Sequence, residues 1–368
     1  MASFAIGNEP DWHAFHTYDG HPFDPAIREE VSGVPGSAYP SYLDRWRQVA
    51  DAVLAAAPGA RLSGPDTGAY DTTTYTPRPA DGVSWTDRFA ADEKDSGRIA
   101  EVTQHYYVGG GPGKTAAAQA IRNMLSGEWV NRGEPGHQPD RTTYIPYPWL
   151  YRSNVAAAAA RGPRCRLTES NDYLAGVPGA SDAFASALWA LDYLHWWAAH
   201  GAAGVNFHNK QWLRTDTIIP DPARSGRYAT TAKGYGVKAF TLGAAGRVKP
   251  VRITNPAGIN LTAYCVGGPD ADYVTLINKT HGAQAADAEV TIPPPRAPGG
   301  GTPRAQVMTL AGGEPGNAAG SGATLGGDVI TGDRPWDGTW EPVPADPEAG
   351  VSVTVRAATA AIVRIHPA

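Results

Sequence analysis

The sequence predicts an α/β region over residues 1–246 followed by an all-β region over residues 247–368. Three observations predict it. Up to residue 246 short apolar runs alternate with helix-period segments, the pattern of βαβ units around a parallel sheet. Beyond it the helical period disappears, and short strands separated by turn residues suggest an antiparallel sandwich. No apolar run approaches the ~18 residues of a membrane span, so no membrane helix is expected.

The elements follow in order. Residues 3–6 read as a buried strand. Residues 41–57 read as a helix, with Leu43, Trp46, Ala50, Val53 and Leu54 on one face and Pro58-Gly59 stopping it. Residues 61–63 form a second strand, 86–94 a short helix and 99–106 a third strand. Helices are predicted over 116–125 and 149–160, and a fourth strand over 165–168. Ser181 reads as the N-cap of a strong helix whose Phe184, Leu188, Leu191 and His195 share a face. A fifth strand covers 204–207 and a further helix 233–242. In the second region strands are predicted over 248–253, 261–266, 273–277, 289–292, 306–310, 351–355 and 361–365. The Pro/Gly-rich stretches 293–303 and 311–327 read as mobile loops.

Composition narrows the function classes. The length of 368 residues allows a large core and two or so domains. A net charge of -5 with scattered basic residues has no electrostatic footprint for nucleic acid. Only Cys165 and Cys265 occur, so neither a disulfide framework nor a cysteine-rich zinc site is expected. The histidines show no metal-ligand spacing, and neither metal nor cofactor is expected. No basic n-region follows Met1, so this segment carries no signal-peptide pattern. The 11 Trp and 16 Tyr fit a carbohydrate enzyme. Nothing in the sequence speaks to oligomeric state.

Two glutamates carry the chemistry. Gly7-Asn8-Glu9-Pro10 directly follows the first strand, and Leu167-Thr168-Glu169-Ser170 sits at the end of the fourth. Parallel α/β folds place active sites at the C-terminal ends of their strands. Two carboxyl groups facing each other across a cleft are what glycoside hydrolysis needs, one as proton donor and one as nucleophile or base. Taken alone, either glutamate reads as an exposed loop residue or a helix cap.

Five segments resemble glycoside hydrolase family 79, the family of heparanase and bacterial β-glucuronidases, within a clan of retaining (β/α)8-barrel glycosidases. They are Gly7-Asn8-Glu9-Pro10, the Arg61–Gly68 segment with its Gly-Pro-Asp-Thr-Gly, Val102-Thr103-Gln104-His105-Tyr106-Tyr107, Thr168-Glu169 with Tyr173 soon after, and the segment from Ser181 to Asp192. The likeness covers about residues 3–290. It implies a TIM barrel with a C-terminal β-sandwich and a double-displacement hydrolase of β-glucuronides or related glycosides. Glu9 would be the acid/base and Glu169 the nucleophile. Asn8 would hold the sugar 2-hydroxyl. Tyr106 would hydrogen-bond the nucleophile, with Tyr107 as the fallback and a core tyrosine as the structural alternative. Tyr173 and the backbone of residues 174–176 would meet a substrate carboxylate. Asp66 would brace its strand end. His208 and Asn209 end the last barrel strand, and His208 either faces the pocket or caps that strand. Trp12 is a sugar-stacking platform or a wedge between loops.

The sequence departs from this pattern in places. In the family the Asn-Glu pair ends the fourth barrel strand, so the strands found here count as four to eight of a partial barrel. An N-terminally truncated, inactive fragment or a pseudoenzyme that only binds carbohydrate is therefore the alternative expectation, and a longer chain could carry a secretion signal. Gln104 stands where the clan often has histidine, and residues 127–143 read as a pocket-rim loop. Residues 108–115 mimic a P-loop, but Val108 occupies the position of its first glycine. The sequons at Asn260 and Asn278 carry no meaning without a secretory context.

Overall fold

The computed structural model describes residues 3–12, 17–18, 21–22, 39–68, 83–109, 113, 115–126, 147–209, 215–221, 224–294, 303–314, 316–320 and 322–367. The predicted rim loop 127–143, most of the glycine run at 110–114 and residues 295–302 lie outside them. Five strands pair side by side in chain order: β1 (Phe4–Ala5), β2 (Leu62–Thr67), β3 (Ile99–Gly109), β4 (Arg164–Tyr173) and β5 (Ala202–Phe207). The β1–β2, β2–β3 and β4–β5 pairs are parallel. Helices fall between and after them: α1 (Tyr39–Ala56), α2 (Trp85–Glu93), α3 (Ala117–Met124), α4, α5 (Ala185–Ala199) and α6 (Ala232–Gly243). Helix α4 is broken, running from Tyr147–Leu150 through a π-turn at Tyr151–Val155 to Ala156–Ala160.

The chain divides into two compact units. The first takes Met1–Val108, Gly133–Asn171 and Gly201–Phe207; the second takes Gly109–Arg132, Asp172–His200 and His208–Ala368.

In the first unit aromatic side chains join the helices to the sheet. Trp46 of α1 meets Phe89 of α2 edge to face, 4.8 Å between ring centroids. A Cβ at Gly64 would lie 2.9 Å from both side chains, so only glycine lets β2 approach them this closely. At the other end of the sheet, Glu101 of β3 is fully buried and receives Arg166 (2.8 Å), Arg164 (3.1 Å) and Ser3 (3.0 Å). Burial pushes this carboxyl up, but those hydrogen bonds and charges outweigh it and hold it below the usual range.

Among the described residues the second unit holds a two-stranded antiparallel hairpin, Ile218–Pro220 with Tyr228–Thr230, and two larger antiparallel sheets built from β6 (Arg247–Lys249), β7 (Leu261–Gly267), β8 (Asp272–Asn278), β9 (Ala288–Ile292), β10 (Arg304–Ala311), β11 (Thr324–Leu325), β12 (Glu341–Val343), β13 (Ala345–Asp346), β14 (Gly350–Val355) and β15 (Thr359–His366). One sheet runs β6-β7-β8-β15-β10-β11, with β12 also on β10; the other runs β9-β14-β13. Their facing sides share one apolar core, with Leu276, Val363 and Ile365 from the larger sheet and Val351, Val353 and Val355 from the smaller. Helix α5 is apolar nearly all round and correspondingly buried. Its one carboxylate, Asp192, accepts from Lys279 (2.9 Å), Thr262 (2.8 Å) and Tyr264 (2.6 Å).

Three local expectations are corrected. Ser181 does not cap α5. Its hydroxyl donates to Asp172 (2.8 Å) and accepts from the Val177 amide (2.9 Å). The helix starts at Ala185, and the amides of Phe184 and Ala185 donate to the carbonyls of Gly320 (3.0 Å) and Ala318 (2.7 Å). Within 311–327, read as a mobile loop, Ala318 and Gly320 thus cap α5, and Ala318 and Leu325 are buried. The strand predicted over 248–253 leaves the sheet after Lys249.

Candidate active site

The strand ends of the first unit bring Glu9, His105, Tyr107 and Glu169 together. Glu9 lies four residues past β1 in the left-handed region, at φ 44°, and its amide donates to the Asp66 carbonyl at 2.9 Å. Asp66 is itself left-handed, at φ 61°. Such conformations cost about 1–3 kcal/mol in residues other than glycine and concentrate at functional sites. The sheet registers show how the side chains are aimed. Pro65 pairs with Thr103 and Thr67 with Gln104, so Asp66 is an extra residue in β2. Leu167 pairs with Val205 and Ser170 with Phe207, so β4 carries an extra residue around Thr168-Glu169. Bulges of this kind redirect side chains beside active sites.

These side chains form a connected circuit. The Tyr107 hydroxyl donates to Glu169 Oε1 at 2.7 Å. His105 Nδ1 meets Glu9 Oε1 at 2.9 Å, and its Nε2 faces Asp66 Oδ2 at 3.5 Å. The Thr168 hydroxyl donates to the other Asp66 oxygen. Burial disfavours the His105 cation, but the hydrogen bonds and charges of Asp66 and Glu9 outweigh it and push the imidazole pKa up to about 10. His105 is therefore an imidazolium near neutral pH, held between Glu9 and Asp66. One ligand-type atom from each of Glu9, His105 and Glu169 lies within 4.8 Å of the others, a grouping that could hold a metal ion. Both ring nitrogens of His105 are already engaged, by Glu9 and by Asp66. Asp11, in the turn after Glu9, is buried and accepts from the Gly68 amide at 3.0 Å. Burial pushes its pKa up to about 7.

The expected partner of Glu169 is corrected: it is Tyr107 and not Tyr106. Side chains alternate across a strand, so His105 and Tyr107 share one face of β3 while Gln104 and Tyr106 share the other. Tyr106 is fully buried and packs edge to face on Tyr147 of α4, 6.0 Å between centroids. Gln104 accepts from Thr67 (3.0 Å) and Thr86 (2.9 Å) and donates to the Gly68 carbonyl (2.8 Å), tying β2 and β3 to α2. Tyr173 is also corrected. It is fully buried and accepts from Asn123 at 2.9 Å within the second unit, so it is not presented for a ligand. Asn8 is exposed beside Glu9. His208 is half-buried just past β5, in the second unit, and Asn209 accepts from the Thr217 amide at 3.0 Å. The Trp12 side chain lies outside the described residues. His105 is the residue that sequence reasoning missed. Its signal was its place two residues before Tyr107 at a strand end, on the face that carries the site.

No family model and no curated protein matches the chain. Among solved structures it is similar to a 4-O-α-L-rhamnosyl-β-D-glucuronidase from Fusarium oxysporum 12S, with 17% identity, TM-score 0.69, and coverage of 98% of this chain and 70% of that one. It is also similar to a Paenibacillus polymyxa xyloglucanase of glycoside hydrolase family 44 (14%, TM-score 0.60, 99% and 65%) and to a family 51 arabinofuranosidase from Xanthomonas axonopodis pv. citri (15%, TM-score 0.55, 90% and 64%). The chain thus spans between 64% and 70% of the length of these structures. At such identities the likeness defines the fold. It is a glycosidase fold, with a parallel half-barrel sheet and antiparallel sheets.

Proposed function

We propose that the chain is a retaining glycoside hydrolase, exo-acting on β-glucuronides or related glycosides and akin to family 79. The observation that carries this reading is the short gap between Glu9 and Glu169, whose nearest oxygens lie within 4.8 Å. Retaining pairs stand about 5–5.5 Å apart, whereas inverting pairs need about 6.5–9.5 Å to admit a water. Glu169 attacks the anomeric carbon while Glu9 gives its proton to the departing oxygen. Glu9, now a carboxylate, takes a proton from water, and the hydroxide displaces Glu169. Tyr107 orients the nucleophile, and the His105 cation keeps the Glu9 carboxyl from turning away. Asn8, exposed beside Glu9, meets the sugar on this reading. On this reading β1–β5 correspond to barrel strands four to eight, and residues 247–368 form the accompanying sandwich. Glucuronides are favoured by the motif resemblance and by the name of the Fusarium neighbour. The test is to incubate the protein with an activated 2-fluoro-β-glucuronide and map the adduct by mass spectrometry. A glycosyl group on Glu169 is expected; a label on another residue, or none with any 2-fluoro glycoside, overturns the reading.

A further inference from the structure

We propose that Asp11 is a positioning residue for Glu9: its carboxyl group clips the loop that carries Glu9 onto the end of β2. The proposal rests on the reading of Glu9 as the acid/base. Asp11 takes no part in the steps written above, yet it is only 5% exposed and lies two residues beyond Glu9, in a short 3-10 helix at Pro10–Trp12. A carboxyl group is buried at that depth only where protein hydrogen bonds replace those of water.

The chain around Glu9 follows β2 step by step. The amide of Phe4 donates to the Arg61 carbonyl (2.7 Å), that of Ile6 to Ser63 (3.3 Å) and that of Glu9 to Asp66 (2.9 Å). Just past β2 the direction reverses, and the Gly68 amide donates to Asp11 Oδ1 at 3.0 Å. Backbone bonds thus hold the loop before Glu9 and at it, and a side chain holds it after. Gly68 is a firm anchor, because its carbonyl accepts from Gln104 (2.8 Å), which itself accepts from Thr86 of α2 (2.9 Å).

Glu9 depends on being held from both sides. It is left-handed, at φ 44°, and a residue with a Cβ keeps that conformation only where its surroundings over-determine it. With the turn after it freed, the backbone relaxes toward negative φ. That swings the Cα–Cβ bond and carries the carboxyl group away from His105 Nδ1, which it now meets at 2.9 Å. Proton transfer to a departing oxygen requires the acid within hydrogen-bond reach, and a misplacement of about 1 Å costs about 100-fold. Asparagine at position 11 keeps an acceptor for the Gly68 amide, whereas alanine and leucine do not.

The test compares kcat/KM on an activated aryl β-glucuronide and on an alkyl β-glucuronide, whose departing oxygen needs the proton. Asp11→Ala, and Asp11→Leu, which fills the site without an acceptor, are each expected to lose about 30-fold on the alkyl substrate and less than about threefold on the aryl one. Asp11→Asn is expected to stay within about threefold of wild type on both. In a Glu9→Gln background Asp11→Ala should cost less than about twofold on the alkyl substrate, because a residue that acts through Glu9 then has nothing left to position. Equal losses on the two substrates, an asparagine variant as poor as the alanine one, or a full additional loss in the Glu9→Gln background overturns the proposal and assigns Asp11 to the fold alone. Turnover of neither substrate by the wild-type protein overturns the reading of Glu9 itself, and the proposal with it.

Discussion

Replacing His105 with glutamine removes the cation at the centre of the candidate site while keeping an amide donor. The rise of the imidazole pKa from 6.5 to about 10, at about 1.4 kcal/mol per pH unit, sets a ceiling near ~5 kcal/mol on its stabilisation. Leaving the buried Asp66 without its charged partner costs about 3–5 kcal/mol. We expect His105→Gln to lose ~3 kcal/mol at pH 6. The sign follows from linkage. A histidine whose folded pKa is raised stabilises fully below its unfolded pKa of 6.5 and loses that stabilisation as pH climbs to about 10. Urea unfolding of both proteins from pH 5.5 to 10.5 is the assay, compared as a difference so that other groups cancel. The gap should be widest below pH 6.5 and close by pH 10.5. A gap that stays constant across this range, or one below ~1 kcal/mol at pH 6, would refute the reasoning that a buried imidazolium ties Glu9 to Asp66.

Four further outcomes are expected. Glu169→Gln abolishes turnover of an aryl β-glucuronide, whereas Glu9→Gln slows substrates with poor leaving groups far more than activated ones; equal loss on both classes speaks against Glu9 as the acid. Tyr107→Phe lowers kcat by about 10- to 100-fold, while Tyr106→Phe leaves kcat within about twofold, as steady-state kinetics would show. Asp11→Asn keeps the acceptor for Gly68 but removes a buried acid with a pKa near 7. Because the folded protein holds that proton more tightly than the unfolded chain, wild-type stability drops as pH rises from 3.8 to about 7, so the asparagine variant gains more in melting temperature at pH 8 than at pH 5. Lys279→Met strands the Asp192 carboxylate in the core and costs about 3–5 kcal/mol by urea unfolding, part of which Asp192→Asn added to it restores.

Much of the fold was legible in residue order. All five parallel strands fall where short apolar runs punctuate helical periods, and every strand predicted beyond residue 246 has a counterpart in the antiparallel sheets, the first of them shortened. Glu9 and Glu169 could be picked out because each directly follows or ends such a strand. The choice between Tyr106 and Tyr107 was not legible. Alternation says only that they face opposite ways, and which face is the site depends on where α4 packs. His105 looked like an isolated histidine because Glu9 and Asp66 reach it from β1 and β2 and are 96 and 39 residues away in the chain. The N-terminal amides of α5 find carbonyls more than 130 residues downstream, so no local capping signal could announce them. Local spacing determined the strands, most of the helices and the two carboxylates. The tertiary structure alone decided the partners of those carboxylates, because a buried charge or amide must be satisfied in space and the chain supplies its partner from whichever strand end or loop lies nearest.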